Sequence, residues 1–291
     1  AMTFGQPGFF RPRVPNPWFR ARGSEGATSF YDTSALKSTL EELVDFDRLN
    51  DGPMRVSVGA VDVESGNFVW FDSKDGPNHT RIDLRHVMAS GALPPALPSV
   101  EIDGRHYWDG GIVSNTPLEH LLDQDEDLSS LVFQVDLFPA QGPLPQEMAE
   151  VLARQKDITY SSRTRAGTTR FKQVFSLRRR LLDALARIPK EARTTEDEAT
   201  IRDLCEPGVV NILHVIYRMR AWESENKDYE FSARSAGEHR TAGFLDMTAT
   251  LGRREWFQPP SAEDGVATHD VHDRLGAPAS REAGHRRGGQ S

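Results

Sequence analysis

Leu131 to Leu137 is a strongly apolar run. A strand with one wet face alternates apolar and polar residues, so this run predicts a strand buried on both faces, as at the centre of an α/β sheet. Such a strand needs helices on either side, and the chain offers them. Leu36, Leu40, Leu43 and Val44 share one face of a helix predicted from about Ser34 to Val44, with Asp32, Thr33 or Ser34 as cap. Gln146 to Arg154 and Ser176 to Ile188 also read as helices, the second striped by Leu177, Leu181, Leu182, Leu185 and Ile188.

Local turn chemistry predicts two hairpins. Met54 to Val63 and Phe68 to Phe71 flank Glu64-Ser65-Gly66-Asn67, and Val100 to Ile102 and His106 to Trp108 flank Asp103-Gly104, a dipeptide that favours a type I′ turn. A further strand is expected at Val209 to Arg218, followed by a mixed segment to about Trp256. Residues 1 to 30 interleave Gly and Pro with Phe9, Phe10, Trp18 and Phe19 and read as an aromatic-anchored loop. Gln258 to Ser291, poor in bulky apolar residues, reads as a disordered tail.

Composition removes several function classes. The 291 residues carry 35 Lys and Arg against 43 Asp and Glu, a net charge of −8 that argues against nucleic acid as a partner. No apolar run approaches the ~20 residues of a membrane-spanning helix, and the first residues lack the pattern of a secretory signal, so the cytosol is the expected compartment. The lone Cys205 can form neither an internal disulfide nor a Cys-based zinc site.

The stretch that carries chemistry runs from His86 to Leu118. A strand ending at Trp108 delivers Asp109-Gly110-Gly111 ahead of a short helix that Ser114, Asn115 or Thr116 can cap and Pro117 can begin. The glycine pair lets the backbone turn after Asp109 and leaves room for another segment to approach its carboxylate. On spacing alone, Asp109 is either a site acid or only the shaper of that turn.

Ala89-Ser90-Gly91-Ala92, then Pro94, Pro95 and Pro98, then a hairpin, then Asp109-Gly110-Gly111 and Asn115-Thr116-Pro117, resembles the second catalytic block of the patatin-like phospholipases. Leu97 stands where that family often has Phe, and Ser99 where it often has a second Pro. The resemblance extends over residues 28 to about 257 and is nearest to bacterial members with an extra C-terminal region of unknown function. It implies a three-layer α/β/α fold and acyl hydrolysis by a serine–aspartate dyad, with Asp109 as the dyad acid and Gly110 and Gly111 as its supporting turn. It implies a lipid or other acyl ester as substrate and neither metal nor cofactor.

The family's nucleophile sits on a G-x-S-x-G elbow, and its oxyanion hole comes from a glycine-rich loop. No serine of this sequence meets the elbow pattern: Ser24 follows Arg22, Ser57 follows Arg55 and Ser90 follows Met88 at the position two before. The nucleophile is therefore none of these residues, and the chain is expected to be a family member without its N-terminal strands. On this reading, residues 1–140 are the later part of the catalytic domain, 141–257 a helical and mixed extension, and 258–291 a tail. The chain alone should be inactive and expose an apolar sheet edge. The alternative is a non-catalytic remnant or interaction module of the same fold.

Rival signals have plainer readings. His269 and His272 with Asp270 and Asp273 could offer a metal two imidazoles, but lie in the expected tail. His86, His106, His120, His214 and His239 are scattered as packing or surface residues. The basic stretch from Arg163 to Arg180 reads as a solvated helix face, with anionic headgroups at a membrane surface as the alternative. Ser232 and Ser235 look like helix-start residues, and Cys205 structural.

Overall fold

The computed structural model describes residues 3–74, 76–115, 118–122, 128–161, 164–204, 208–218, 232–261 and 264–272, with side chains from 169 onward in the segment that begins at 164. In chain order the elements are β1 (Arg11–Pro12), β2 (Tyr31–Asp32), α1 (Ser34–Leu43), α2 (Phe46–Asp51), β3 (Ser57–Asp62), β4 (Phe68–Asp72), α3 (Leu84–Ser90), β5 (Val100–Ile102) and β6 (Arg105–Asp109). There follow α4 (Leu118–Leu122), β7 (Ser130–Asp136), α5 (Met148–Tyr160), α6 (Thr164–Ala186), α7 (Thr195–Leu204), β8 (Val210–Ile216), α8 (Ala233–Leu251) and β9 (Val266–Asp270). Helices pack on antiparallel and parallel sheets, and the fold is α/β.

The first sheet is antiparallel, in the order β4-β3-β6-β5. Both predicted hairpins are in it. Asp103 and Gly104 take φ of 52° and 81°, the pair of positive values that a type I′ turn demands. Asp62 closes the other turn, accepting the amides of Glu64 and Ser65 at 3.0 Å. The face carrying Ala60, Phe71, Ile102 and Tyr107 packs against Ala89 of α3. Behind α3, Asn50 of α2 is buried and ties down Ile82, donating Nδ2 to its carbonyl and accepting its amide on Oδ1, both at 2.8 Å.

The second sheet is parallel, in the order β7-β8-β9. Leu122, Val132, Phe175, Val210, Ile212 and Val266 form its core, joining α4 and α6 to one face. Burial on both faces belongs to β8, whose residues Val210 to Leu213 are all buried, and not to Leu131–Leu137. In β7 Val132 is buried, whereas Leu131, Phe133 and Val135 remain 43–55% exposed. The physical reason is position: β7 pairs only with β8 among the described residues, and the helices cover only its Val132 face. The parallel pairing also joins residues on both sides of position 140.

Two further expectations are corrected. The stretch 258–291 is not a tail throughout, because Val266–Asp270 pairs in parallel with β8 and buries Val266. Helix α6 begins at Thr164 and not near Ser176, so the basic stretch lies along a helix. Ser232 does start α8, accepting the Ser235 amide at 3.3 Å.

The amino-terminal segment docks on the loop between α3 and β5. Phe30 and Tyr31 donate their amides to Pro95 and Ala96 carbonyls at 3.2 and 2.9 Å, and Phe10, Tyr31, Ala96 and Leu97 form a third apolar cluster.

Candidate active site

Strand β6 ends at Asp109, opposite Ala60 of β3, and the Asp109 amide donates to the Ala92 carbonyl at 3.1 Å. Beyond it the chain makes one 3-10 turn, Gly110–Ile112, capped by Asp109 itself: Oδ1 accepts the Gly111 amide at 2.7 Å. Oδ2 accepts no hydrogen bond among the described residues. Burial raises the Asp109 pKa above the usual carboxylate range, and the Gly111 hydrogen bond opposes that rise only in part.

The glycines serve space and not an unusual backbone, since neither has positive φ. A Cβ on Gly110 would lie 2.8 Å from the Gly59 carbonyl oxygen, and one on Gly111 would lie 3.1 Å from the carboxamide oxygen of Asn115 and from Asp109 Oδ1. The first glycine lets β6 end against β3. The second leaves room beside the turn for the Asn115 and Asp109 side chains.

Asp109 lines a cavity of ≈ 200 Å³ with Phe9, Phe10, Gly91, Leu93, Leu97, Gly111, Asn115, Phe138 and Tyr160. Among the described residues it is the one ionisable carboxylate in an otherwise mainly apolar and aromatic wall. Five parts of the chain converge here: the amino-terminal segment, the turn after α3, the end of β6, the end of β7 and the end of α5. Asn115 Nδ2 donates to the Tyr160 carbonyl at 2.9 Å, and Phe138 packs against the Tyr160 ring at 5.4 Å. Among the described residues no serine lines this cavity.

The matches to known families fall on either side of this junction. A family model described as patatin-like phospholipase matches residues 4–122, and one described as patatin phospholipase, DUF3734, matches residues 158–263. The chain belongs to the patatin-like phospholipase family. Membership in this lipid acyl hydrolase family makes an acyl lipid the class of substrate. The Asn115–Tyr160 hydrogen bond joins the two matched regions of this patatin-like chain at the Asp109 cavity. No curated protein matches the chain.

The rival signals do not meet at this site. His86 is buried and closes a capping box with Asp83, His120 stacks on Trp70 at 3.7 Å, and His239 packs edge-on to Tyr217. His269 stacks on Trp256 while His272 contacts Asp246 Oδ1 at 3.1 Å; Asp273 and Cys205 lie outside the described residues. Ser57 donates to Asp72 Oδ2 at 2.7 Å, Arg55 Nε donates to the same oxygen at 2.8 Å, and the Lys74 amide donates to Oδ1 at 2.9 Å. Burial works to raise the Asp72 pKa, but these partners outweigh it and hold the carboxylate below its ordinary value, unsuited to taking a proton from Ser57. The side chains of Arg163 and Arg165 lie outside the description, and Arg178 donates to the Leu204 carbonyl at 3.1 Å. No helix of the described residues is long and apolar enough to cross a membrane.

Sequence reasoning located Asp109, its glycines and Asn115, and singled out Phe9 and Phe10 as anchors. It missed Phe138 and Tyr160. Phe138 follows β7 and Tyr160 ends α5, and neither carries a local motif, so only the path of β7 and α5 brings them to Asp109.

Proposed function

We propose that this chain supplies the acid of a serine–aspartate acyl hydrolase and that the nucleophilic serine comes from outside these 291 residues. The observation that carries the reading is Asp109 itself: one oxygen anchored, the other unengaged, in an apolar cavity whose burial raises its pKa. A carboxylate with a raised pKa is a better proton acceptor, and the low-polarity wall strengthens its pull on a hydroxyl. In the proposed reaction, Asp109 Oδ2 takes the serine proton as the oxygen attacks the ester carbonyl. The same proton then passes to the leaving alcohol, and a water activated by Asp109 releases the acid from the acyl-enzyme.

Gly111 would hold the carboxylate in one orientation while Asn115 fixes the turn to α5. The absence of a G-x-S-x-G elbow from the sequence, and of a serine from the cavity lining among the described residues, favours inactivity of the chain alone. The same observation favours the second reading, a non-catalytic interaction module of this fold. Hydrolysis of a short-chain p-nitrophenyl ester separates them. The 291-residue chain should be inactive, a protein extended upstream to include a G-x-S-x-G segment should be active, and Asp109→Ala should lower that activity by about 10²–10⁴-fold. An inactive extended protein supports the interaction module. Activity that survives Asp109→Ala overturns the dyad.

A further inference from the structure

The amino-terminal segment sorts its aromatic residues into two sets. Phe10 and Tyr31 are buried with Phe9 and Phe30 packed beside them, and Phe10 meets the rings of Phe9 and Tyr31 edge-on at 5.1 and 4.8 Å. Trp18 and Phe19 are 83% and 84% exposed, and neither makes a ring contact among the described residues. Of the four aromatics expected to anchor this segment, only Phe9 and Phe10 do so.

The exposed pair is held in place by a built loop. Between β1 and β2, residues 13–30 make a connection far longer than the ~2–5 residues that join antiparallel strands, and loops of such length are ordinarily functional or unstructured. This one is tied down from within. Arg20 donates to the carbonyls of Pro15, Glu25 and Val14 at 3.1, 2.9 and 3.2 Å, and Arg13 donates to Ser29 Oγ and the Tyr31 carbonyl at 3.2 and 3.1 Å. Asn16 caps the 3-10 turn Pro17–Phe19, accepting the Trp18 amide on Oδ1 at 3.2 Å and the Phe19 amide on its carbonyl at 3.0 Å. Single exposed apolar residues are ordinary, but two large adjacent aromatics held out by a hydrogen-bonded turn mark a surface that meets another apolar phase.

Charge and position indicate which phase. Residues 1–30 carry four arginines against one acid, Glu25, in a chain of net charge −8. Arg22, just after the turn, is exposed and has no ion pair among the described residues. Trp18, Phe30 and Pro95 line one cleft, and Pro95 belongs to the stretch whose Gly91, Leu93 and Leu97 line the Asp109 cavity. Whatever the tip engages is therefore brought to the segment that walls the cavity.

We propose that Trp18 and Phe19 insert into the interfacial layer of a lipid bilayer, with Arg22 against the phosphates of its headgroups. A bilayer fits better than a second copy of the chain. The family acts on acyl lipids, an indole with a free N–H matches a boundary that is apolar on one side and wet on the other, and a guanidinium matches phosphate. The loop is already ordered, so little conformational freedom is lost on insertion. The inference goes beyond the dyad and stands whichever residues perform hydrolysis.

Flotation of the 291-residue chain with vesicles of phosphatidylcholine containing roughly 30% phosphatidylglycerol tests it. Trp18→Ser combined with Phe19→Ser should weaken partition by about tenfold or more, with a melting midpoint like that of the parent because both side chains bury little. Leu43→Ser combined with Leu144→Ser, exposed elsewhere, should leave partition unchanged. Arg22→Gln should weaken it about fivefold on these vesicles and not on phosphatidylcholine alone. Trp18→Phe should still float but lose most of the quenching of tryptophan fluorescence by brominated acyl chains. A parent that does not bind, partition unchanged by the Trp18 and Phe19 pair, or equal loss from the Leu43 and Leu144 pair overturns the membrane contact. Self-association without vesicles that the Trp18 and Phe19 pair abolishes, in a parent that does not float, assigns the tip to a second copy and overturns it as well.

Discussion

Gly110→Ala measures how tightly the acid turn is pressed against the sheet. The added methyl carbon would stand 2.8 Å from the Gly59 carbonyl oxygen and 3.0 Å from both the Gly59 carbonyl carbon and Phe68 Cε2. Each separation is well inside the ~3.5 Å at which nonbonded atoms begin to attract. Two of the three opposing atoms are backbone of β3, held between β4 and β6, and cannot swing away as a side-chain tip could. Overpacking of this kind costs about 1–3 kcal/mol. Alanine returns about 0.4–1 kcal/mol by restricting the unfolded chain, since Gly110 does not use positive φ. A net loss of about 1–2 kcal/mol should lower the melting midpoint by roughly 2–8 °C. Gly111→Ala is the contrast: its methyl would meet Asp109 Oδ1 and Asn115 Oδ1 at 3.1 Å, both movable side-chain atoms. It should cost less stability and, in the extended protein, more activity. Calorimetry of the two variants side by side decides the matter. A Gly110→Ala midpoint at or above that of the parent would refute the argument that packing imposes this glycine.

Asp109→Asn should stabilise the chain near neutral pH. Burial favours the neutral acid in the folded state, so the parent loses stability as pH rises from the ordinary carboxylate pKa of ~3.9 through the raised folded value, whereas Asn keeps an oxygen for the Gly111 amide and carries no charge. Urea midpoints should therefore diverge above that window and converge below pH ~4; a parent more stable than the variant at pH 7 contradicts the sign. Asn50→Ala should cost about 2–4 kcal/mol in urea unfolding, because the buried amide and carbonyl of Ile82 both lose their partner.

Much of the site's local geometry was legible because short-range chemistry determines it. Asp103-Gly104 encodes its own turn, and with it the strand that ends at Asp109. The spacing of Leu36 and Leu40 encodes α1, and Ser232 encodes the start of α8. What escaped depends on partners distant in the chain. Val266–Asp270 offers a single buried apolar residue, and its strand conformation comes from pairing with β8. Leu131–Leu137 has the composition of a doubly buried strand, but its place at the end of the sheet leaves one face open. Position in the sheet order leaves no mark in a window of seven residues. The cavity lining divides the same way, with Asp109 and Gly111 readable from the Asp-Gly-Gly motif and Phe138 and Tyr160 brought in by the tertiary path alone.

The parallel sheet also imposes a schedule on the growing polypeptide. Ser130 finds its partner at Val210 and Asp136 at Ile216, so 80 residues must be made after β7 before it can pair. At ~5–20 residues per second, that is a delay of about 4–16 s on the ribosome. Throughout it Leu131, Val132, Phe133 and Val135 lack their sheet neighbour. The antiparallel hairpins holding Asp109 close within a few residues of their turns and can form first. The acid turn is thus an early product of synthesis and β7 a late one, and the interval between them is when a hydrophobic-peptide chaperone has most to bind.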